Sequence, residues 1–241
     1  MAARTLSPHE QELIYGSHAV AAALANPARR IRRLWATRNV ADRFAGPIAE
    51  RAIRPEIVEA RALERIAGAG VVHQGAVLEA APLPQPDIAD LPGDGLLVLL
   101  DQVTDPHNVG AILRVCAAFG VTALITTARH SPSATGVVAK TASGGLEHVH
   151  YIKVTNLARA LSELKDRGFA VVGLDSDGDS VLEEAVPPGP LALVLGAEGK
   201  GLRRLTRERC DTVARIALPG PIASLNVSTA ATLALHIASK R

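Results

Sequence analysis

The chain has 241 residues, which is enough for one large domain or two small ones with a sizeable core. Its hydrophobic fraction of 48% and charged fraction of 21% are those of a folded globular protein rather than a disordered one. Aromatic residues make up only 2%, which excludes an RNA-binding platform of stacked aromatic rings. The net charge of +2 is too small to indicate a partner by itself.

Basic residues are concentrated at the start of the chain. Residues 1–80 contain eleven lysines and arginines against eight acidic residues, a net charge of +3. A dense basic group lies in the segment ARRIRR and consists of Arg29, Arg30, Arg32 and Arg33. Such a group is either an ordinary solvated surface or a patch that contacts the phosphates of a nucleic acid.

Cysteines and apolar runs indicate the cellular setting. Cys116 and Cys210 have neither the number nor the spacing of a disulfide or zinc framework, so both are expected to be reduced and buried. The opening segment MAARTLSPHEQELIYG lacks the apolar core of a signal peptide. Apolar runs in the chain stay shorter than the ~20 residues that span a bilayer. These features predict a cytoplasmic protein without a membrane partner.

In chain order, the first part of the sequence mixes helices and strands. GSHAVAAALAN predicts a helix that ends near Asn26, IRRLWATR a strand, PEIVEARALERIAG a helix, and GVVHQGAVLEA a strand with its turn. The next segment, APLPQPDIADLPGDG, has four prolines and two glycines, which is typical of a linker. We therefore predict a first domain at 1–75, a linker at 76–94 and a second domain at 95–241.

From Leu96 onward, strands and helices alternate regularly. The predicted strands are LLVLLD, VTALITT, EHVHYIKV, FAVVGLD, LALVLG and TVARIAL. The predicted helices are NVGAILRVCAAFG, SATGVVAKTASGG, LARALSELKDRG, LRRLTRERC and SLNVSTAATLALHIASKR. This alternation predicts an α/β fold with a mostly parallel sheet that is covered on both faces. In such sheets, ligands bind at the carboxyl ends of the strands.

Several common ligand motifs are missing from the sequence. The chain has neither the G-x-G-x-x-G fingerprint of dinucleotide binding nor the G-x-x-x-x-G-K-[ST] phosphate loop. The segment DSDGD resembles a calcium loop, but its glycine is misplaced and a polar turn is the better interpretation. His148 and His150 share one face of a predicted strand but have no third ligand, so we predict no metal site.

Three segments remain, and each follows a predicted strand. In DQVTDPHNVGAILR, Asn108 can cap a helix, and Arg114 stands on an otherwise apolar helix, four residues after Gly110. Because an unpaired buried charge is costly, Arg114 needs a partner from elsewhere. With only Gly110 beneath it, Arg114 can extend to the strand end and hold a phosphate or carboxylate. The alternative is a structural salt bridge, with Glu198 as one candidate partner.

The other two segments are rich in glycine and in small polar residues. LVLGAEGKGLRR runs from a buried strand into three glycines around Glu198, which indicates either a plain turn or a close approach to a ligand. IALPGPIASLNVSTAATLALH passes through a rigid loop to Ser224 at the start of a helix. Ser224 can be a simple N-cap, but Asn226 and Ser228 crowd the same turn, which favours a cluster of hydrogen-bonding groups.

In this order, the three segments resemble motifs 1, 2 and 3 of the SpoU (TrmH) class of RNA ribose 2'-O-methyltransferases, over roughly Leu96 to the C-terminus. YGSHAVAAAL and VVHQG resemble the N-terminal substrate-binding domain of the RlmB-like subfamily, which methylates a guanosine of large-subunit (23S) ribosomal RNA. The resemblance implies a SPOUT-type catalytic domain with a deep trefoil knot, a small L30e-like α+β RNA-binding domain, and a homodimer. One departure is Ala217-Leu218, where the family commonly has Pro-Met; Leu for Met is a mild change.

The resemblance also implies a set of site residues, with S-adenosylmethionine as methyl donor, S-adenosylhomocysteine as product and no metal. Arg114 would activate the ribose hydroxyl, either by transient deprotonation or by holding an RNA phosphate, since arginine is a poor base. The implied catalytic group is Arg114, Asn108, Glu198, Ser224 and Asn226. The implied cofactor contacts are Leu195, Gly196, Ile216, Leu218 and Leu225. The implied RNA contacts are Arg29, Arg30, Arg32 and Arg33.

Other functions stay open at this point. A binding module could keep the fold and lack catalysis, although every member of the implied catalytic group is present. Transfer RNA is an alternative substrate, because relatives on the same fold use it. A phosphate-binding hydrolase of another kind would need a nucleophile–base pair or a metal cluster, and the sequence offers neither.

Overall fold

A computed structural model describes residues 11–129, 131–134, 136–222 and 224–240. Most of the opening segment that argues against a signal peptide lies outside these ranges. Within them, no helix is long and apolar enough to cross a membrane.

The first domain is a small α+β unit. Its elements are β1 (Glu12–Tyr15), α1 (Ser17–Ala25), β2 (Ile31–Ala36), α2 (Arg38–Arg43), α3 (Ala45–Glu50), β3 (Glu56–Ile57), α4 (Ala60–Ala67) and β4 (Ala76–Ala80). They form a four-stranded sheet in the order β1-β4-β2-β3, in which β4 is antiparallel to β1 and β2. The predicted α1, β2 and β4 are confirmed, whereas β1, α2 and α3 were not predicted.

Two predicted boundaries in this domain are corrected. The helix predicted over PEIVEARALERIAG begins only at Ala60, because Glu56 and Ile57 pair with Trp35 and Ala36 as a short parallel strand. The predicted linker begins too early, because β4 lies inside the first sheet, between β1 and β2. The first domain therefore extends to residue 80.

The second domain alternates strands and helices as predicted. Its elements are β5 (Leu96–Asp101), α5 (Pro106–Ala118), β6 (Ala123–Thr127), α6 (Val137–Ala142), β7 (His150–Val154), α7 (Leu157–Asp166), β8 (Ala170–Leu174), β9 (Ser180–Val181), α8 (Leu182–Ala185), β10 (Leu191–Gly196), α9 (Arg204–Arg209), β11 (Thr212–Arg215) and α10 (Val227–Ala238). All strands pair in parallel, in the order β7-β6-β5-β10-β8-β11-β9. The α/β class is confirmed; β9 and α8 are short additions that the pattern did not predict.

Two layers of helices explain why β5 is a continuous apolar run. Leu97 and Leu99 pack into one cluster with the side chains of α7, and Val98 and Leu100 pack into a second cluster with those of α5 and α10. All four side chains are fully buried. Burying each one contributes roughly 1.5–3 kcal/mol, so both faces of the sheet stabilise the fold.

The proline-rich segment between the domains is fixed to the second domain. It contains a short 3-10 turn, Ile88–Asp90. Ile88 and Leu91 are buried beside α7. Arg167, which follows α7, donates hydrogen bonds to the carbonyl oxygens of both residues. The linker is therefore an ordered connection.

Candidate active site

The carboxyl ends of β5, β10, β8 and β11 lie side by side in the large sheet. Residue Gly196 at the end of β10 lies opposite Asp101 at the end of β5. The three segments singled out in the sequence follow β5, β10 and β11, so their loops meet at this edge. This is the place where parallel sheets bind ligands.

The glycines after β10 form a tight turn. The carbonyl oxygen of Ala197 accepts hydrogen bonds from the backbone N–H groups of Lys200 and Gly201, at 3.3 and 2.9 Å. A side chain at Gly196 would place its Cβ 2.2 Å from the carbonyl carbon of Gly201, so only glycine fits there. Gly199 and Gly201 have positive φ angles of 71° and 62°, a conformation that glycine adopts easily.

A cavity of about 480 Å³ lies beside this turn. Its walls combine apolar side chains from three loops with backbone of the glycine turn. All five cofactor contacts implied by the resemblance line it: Leu195, Gly196, Ile216, Leu218 and Leu225. Leu218, one of the two residues that depart from the family pattern, adds an apolar side chain to this wall.

Three predicted catalytic side chains meet beside the cavity. The Glu198 carboxylate oxygen Oε1 accepts hydrogen bonds from Asn226 Nδ2 at 2.6 Å and Asn108 Nδ2 at 3.3 Å. Asn226 Nδ2 also donates to Asn108 Oδ1 at 3.0 Å. The backbone N–H of Val227 donates to Glu198 Oε1 at 3.2 Å. We call Asn108, Glu198 and Asn226 the polar cluster.

The helix caps differ from those expected. Asp105, not Asn108, caps α5, because its carboxylate accepts from the backbone N–H of His107 at 2.9 Å. Asn226, not Ser224, caps α10, because its Oδ1 accepts from the backbone N–H of Ser228 at 2.9 Å and from its hydroxyl at 2.6 Å. Asn108 and Ser224 are thus free of capping roles, and Ser224 is an exposed residue that lines the cavity.

Arg114 lies in a different environment from the one expected. Its side chain is exposed, and it has no hydrogen-bonding or ionic partner among the described residues. The suggested ion pair with Glu198 is not formed there, since Asn108, Asn226 and Val227 occupy that carboxylate. Because the Arg114 side chain is exposed and not buried, its charge needs no partner to offset the cost of burial.

Gly110 also has a role other than the one expected. It does not open a path for Arg114, because α6 packs against it. A Cβ at Gly110 would lie 2.6 Å from Thr141 Cβ and 2.9 Å from the carbonyl oxygen of Val138. The small residue allows two helices to approach closely.

Two carboxylates that the sequence did not single out as site residues hold the loop after β10. Asp101 is fully buried; it accepts from the backbone N–H of Arg203 at 2.9 Å and from Arg203 Nε at 2.6 Å. Asp175 lines the cavity and accepts from the backbone N–H of Leu202 at 3.1 Å. In the sequence, only the position of Asp101 at the end of a predicted strand could have indicated a site residue. Asp175 is the first residue of DSDGD, the segment that we interpreted as a polar turn.

The basic group of the first domain is divided by burial. Arg30, Arg32 and Arg33 are exposed, and the Arg33 guanidinium lies 5.9 Å from the ring centre of Trp35. Arg29 is only 1% exposed and forms ion pairs with Glu12 and Glu147. The predicted RNA contact by Arg29 is therefore wrong, because its guanidinium is enclosed by protein.

The two N-terminal motifs, YGSHAV and VVHQG, meet through one side chain. Gln74 Oε1 accepts hydrogen bonds from the backbone N–H of Ser17 at 2.9 Å and from its hydroxyl at 3.1 Å. Because Gly16 at the N-cap position has no side chain to cap α1, Gln74 satisfies a free N–H of the first turn. Gln74 adopts a positive φ of 53° to reach it.

The remaining candidate groups have ordinary surroundings. No group of three or more potential metal ligands occurs among the described residues. His148 precedes β7 instead of sharing a strand with His150. Cys116 is buried as expected, whereas Cys210 is half-buried. Burial, with a smaller effect of Asp211, raises the pKa of Cys210 to about 12.

Two solved methyltransferase structures share this architecture. The SpoU methyltransferase AviRb from Streptomyces viridochromogenes, in complex with the cofactor AdoMet, is 24% identical and covers 95% of this chain and 89% of its own, with a TM-score of 0.79. The AdoMet-bound rRNA methyltransferase from Sinorhizobium meliloti is 21% identical, covers 95% and 87%, and has a TM-score of 0.81. The second domain therefore has the fold of the SpoU methyltransferases.

Sequence comparison gives the family. The SpoU rRNA Methylase family matches residues 95–236, and the RNA 2'-O ribose methyltransferase substrate binding family matches residues 13–86. A relative from Ralstonia nicotianae, the 23S rRNA (guanosine-2'-O-)-methyltransferase RlmB, is 42% identical over 96% of this chain and 96% of its own. The chain belongs to the SpoU rRNA methylase family, which confirms the resemblance.

Proposed function

We propose that this chain uses S-adenosylmethionine to methylate the ribose 2'-hydroxyl of a guanosine in 23S ribosomal RNA. The observation that carries the proposal is the position of the polar cluster directly beside a cavity, lined by both apolar and polar residues, at the ends of the parallel strands. Relatives named as 23S rRNA guanosine-2'-O-methyltransferases, such as the one from Ralstonia nicotianae, support the substrate class.

The cavity fits a nucleoside-sized methyl donor. Its volume of about 480 Å³ is within the range of roughly 300–1,000 Å³ typical of small-molecule sites. Leu195, Ile216, Leu218 and Leu225 offer apolar contacts, and the turn at Gly196 offers backbone groups that no side chain covers. S-adenosylmethionine bound there supplies a methyl group on a positively charged sulfur.

The polar cluster positions the reacting groups. Glu198 Oε1 receives three hydrogen bonds, which fix the carboxylate against the start of α10. We propose that Asn108, Glu198 and Asn226 form the wall against which the ribose is placed, and that Ser224, at the mouth of the cavity, contacts donor or ribose. Correct placement of two reactants contributes several kcal/mol to lowering a barrier.

We propose that Arg114 holds an RNA phosphate and so presents the 2'-hydroxyl to the methyl donor. Its exposure and lack of a partner among the described residues leave the guanidinium fork available for a phosphate. Arginine is a poor base, so transient deprotonation is the weaker of the two roles. The hydroxyl proton then passes to water or to another group of the site.

Three further features belong to the proposal. Arg30, Arg32 and Arg33 contact RNA phosphates, because they are exposed and close together in the chain at the start of β2. The chain forms a homodimer, which is consistent with the exposed apolar side chains of Ile222 and Leu233. The second domain contains the trefoil knot that the family implies. The methyl transfer takes place in the cytoplasm.

The test is methyl transfer by the purified protein. Tritiated S-adenosylmethionine is offered with 23S rRNA fragments or with transfer RNA, and the modified nucleotide is mapped by mass spectrometry. We expect one 2'-O-methylguanosine in 23S rRNA, formed by the wild type and not by Arg114→Ala. Methylation of transfer RNA alone would replace the substrate, and binding of S-adenosylmethionine without methylation of either RNA would indicate a binding module.

A further inference from the structure

We propose that a buried ion-pair group between the two domains holds the RNA-contacting arginines at a fixed position relative to the methyl-transfer site. The group, which we call the interdomain clamp, consists of Glu12, Asn26, Arg29 and Glu147. Its role in positioning RNA rests on the proposed function, whereas its role in joining the domains does not.

Arg29 is at the centre of the clamp and is only 1% exposed. Its Nε and one terminal nitrogen donate to the two oxygens of Glu147, at 3.2 and 2.7 Å. The other terminal nitrogen donates to Glu12 at 2.9 Å and to the carbonyl oxygen of Ala81 at 3.1 Å. Asn26 Nδ2 adds a hydrogen bond of 2.7 Å to Glu147. A two-pronged contact of this kind fixes direction as well as distance.

The clamp joins residues of different domains. Glu12 is on β1 and Arg29 lies two residues before β2, both in the first domain, whereas Glu147 is in the 3-10 turn Gly145–Glu147 of the second domain. Glu147 lies 118 residues from Arg29 in the chain. The ion pair therefore exists only when the domains are docked.

The surrounding contact is close-packed. A Cβ at Gly144 would lie 2.7 Å from the Ala22 side chain of α1. The backbone N–H of Gly136, before α6, donates to the carbonyl oxygen of Leu13 on β1 at 3.2 Å. Close packing and a directional ion pair together favour one relative orientation of the domains.

The clamp is adjacent in sequence to the exposed basic residues. Arg29 is buried, and Arg30, Arg32 and Arg33 follow it along the start of β2. The two ends of this short segment thus have different surroundings. Arg29 contacts the second domain, whereas Arg30, Arg32 and Arg33 are exposed. Docking of Arg29 sets where the following arginines stand relative to the polar cluster.

Burial of these charges is unfavourable unless they are fully paired. Apolar residues would join two domains without that penalty, so the ion pair contributes specificity of orientation more than stability. A cavity of about 380 Å³ lies beside the clamp, but Arg29 already directs four hydrogen bonds to protein oxygens. Positioning, rather than ligand binding, is the function that this geometry supports.

The experiment compares Glu147→Gln with Glu208→Gln. Glu208 forms an exposed ion pair with Arg204, so its change removes the same charge without touching the domain contact. By calorimetry, we expect one unfolding transition for the wild type and Glu208→Gln, and two for Glu147→Gln. With a 23S rRNA fragment, Glu147→Gln should raise KM at least fivefold, while kcat and the Kd for S-adenosylhomocysteine stay within twofold.

The readouts separate the clamp from the proposed function. If the wild type methylates no RNA, calorimetry alone still tests whether Glu147 joins the domains. A single transition and an unchanged KM for Glu147→Gln would overturn the proposal. If Glu147→Gln does not fold, Asn26→Asp serves instead, because it places a second carboxylate beside Glu147 and keeps the acceptor used by the N–H of Ala28; the same split of KM from kcat is expected.

Discussion

The junction between the domains and the edge of the large sheet use arginine in opposite ways. At the junction, Arg29 is enclosed and its hydrogen bonds go to two carboxylates and a carbonyl oxygen. At the sheet edge, Arg114 is exposed and has no partner among the described residues. A cation that is neutralised internally fixes how the two domains are oriented, whereas one left to solvent is available to RNA. The two sites should therefore respond differently to mutation.

The largest effect on activity is expected at Arg114. Arg114→Ala should lower kcat by about 10²-fold, because the RNA phosphate that places the 2'-hydroxyl is no longer held. Its free energy of unfolding should change by less than about 0.5 kcal/mol, because the side chain is exposed. Single-turnover methylation and urea unfolding measure the two quantities.

Arg159→Ala is the matched control for Arg114, because Arg159 is also an exposed helix arginine but lies on α7, away from the polar cluster. Full activity of Arg114→Ala would show that Arg114 takes no part in methyl transfer, and the contrast with Arg29 would then be lost.

Arg29 should show the reverse pattern. Arg29→Leu leaves two carboxylates buried without their cation, which costs about 3–5 kcal/mol of unfolding free energy. The neighbouring exposed Arg30→Leu should cost less than about 0.5 kcal/mol. Urea unfolding of both variants measures these losses. Equal losses of unfolding free energy in Arg29→Leu and Arg30→Leu would mean that Arg29 is no more buried than Arg30.

A third change tests the sheet edge without altering charge. Gly196→Ala places a Cβ 2.2 Å from the Gly201 backbone. The loop must move, and overpacking of this kind costs about 1–3 kcal/mol. Because the moved loop also lines the cavity, we expect the affinity for S-adenosylhomocysteine, measured by calorimetric titration, to fall by at least about fivefold, which corresponds to about 1 kcal/mol of binding free energy.

Gly220→Ala is the control for Gly196→Ala, because nothing lies within 4 Å of its Cβ position. Unchanged affinity in Gly196→Ala would show that the glycine turn does not contribute to the cavity's ligand.

The smallest effect is expected on the exposed arginines of the first domain. Arg30→Ala combined with Arg33→Ala should reduce the slope of log K against log salt by about 1–2, since each lost phosphate contact removes roughly 0.7–0.9. RNA binding at several salt concentrations measures the slope. A slope equal to that of the wild type would remove these arginines from the RNA contact.

Local sequence predicted the frame of the molecule well. The five-residue apolar runs that begin β5 and β10, and the alternation of strands with helices, were enough to predict the parallel sheet. The five cavity residues came from the family resemblance, not from the pattern. Periodicity alone does not show which loops meet at a strand end.

Environments set by distant residues could not be predicted. Arg29 and Arg30 are adjacent and chemically identical, and their burial differs because Glu147, far along the chain, docks on one of them. Arg114 and Gly110 were interpreted from helix spacing alone, and the packing of α6 on Gly110 has no signal in that spacing. Asp105 caps α5 in place of Asn108, because the helix begins at Pro106, before its predicted start, and helix starts are hard to predict to within a few residues.

The bond between Gln74 and Ser17 joins two short segments that are 57 residues apart. The helix α1 begins without a side-chain cap from its own N-cap residue, and Gln74, whose φ angle is 53°, accepts the hydrogen bonds of Ser17 in its place. In recombination between relatives, a crossover between the two segments would unite a helix from one parent with a cap from the other. The pair is therefore best transferred together when hybrid proteins of this family are built.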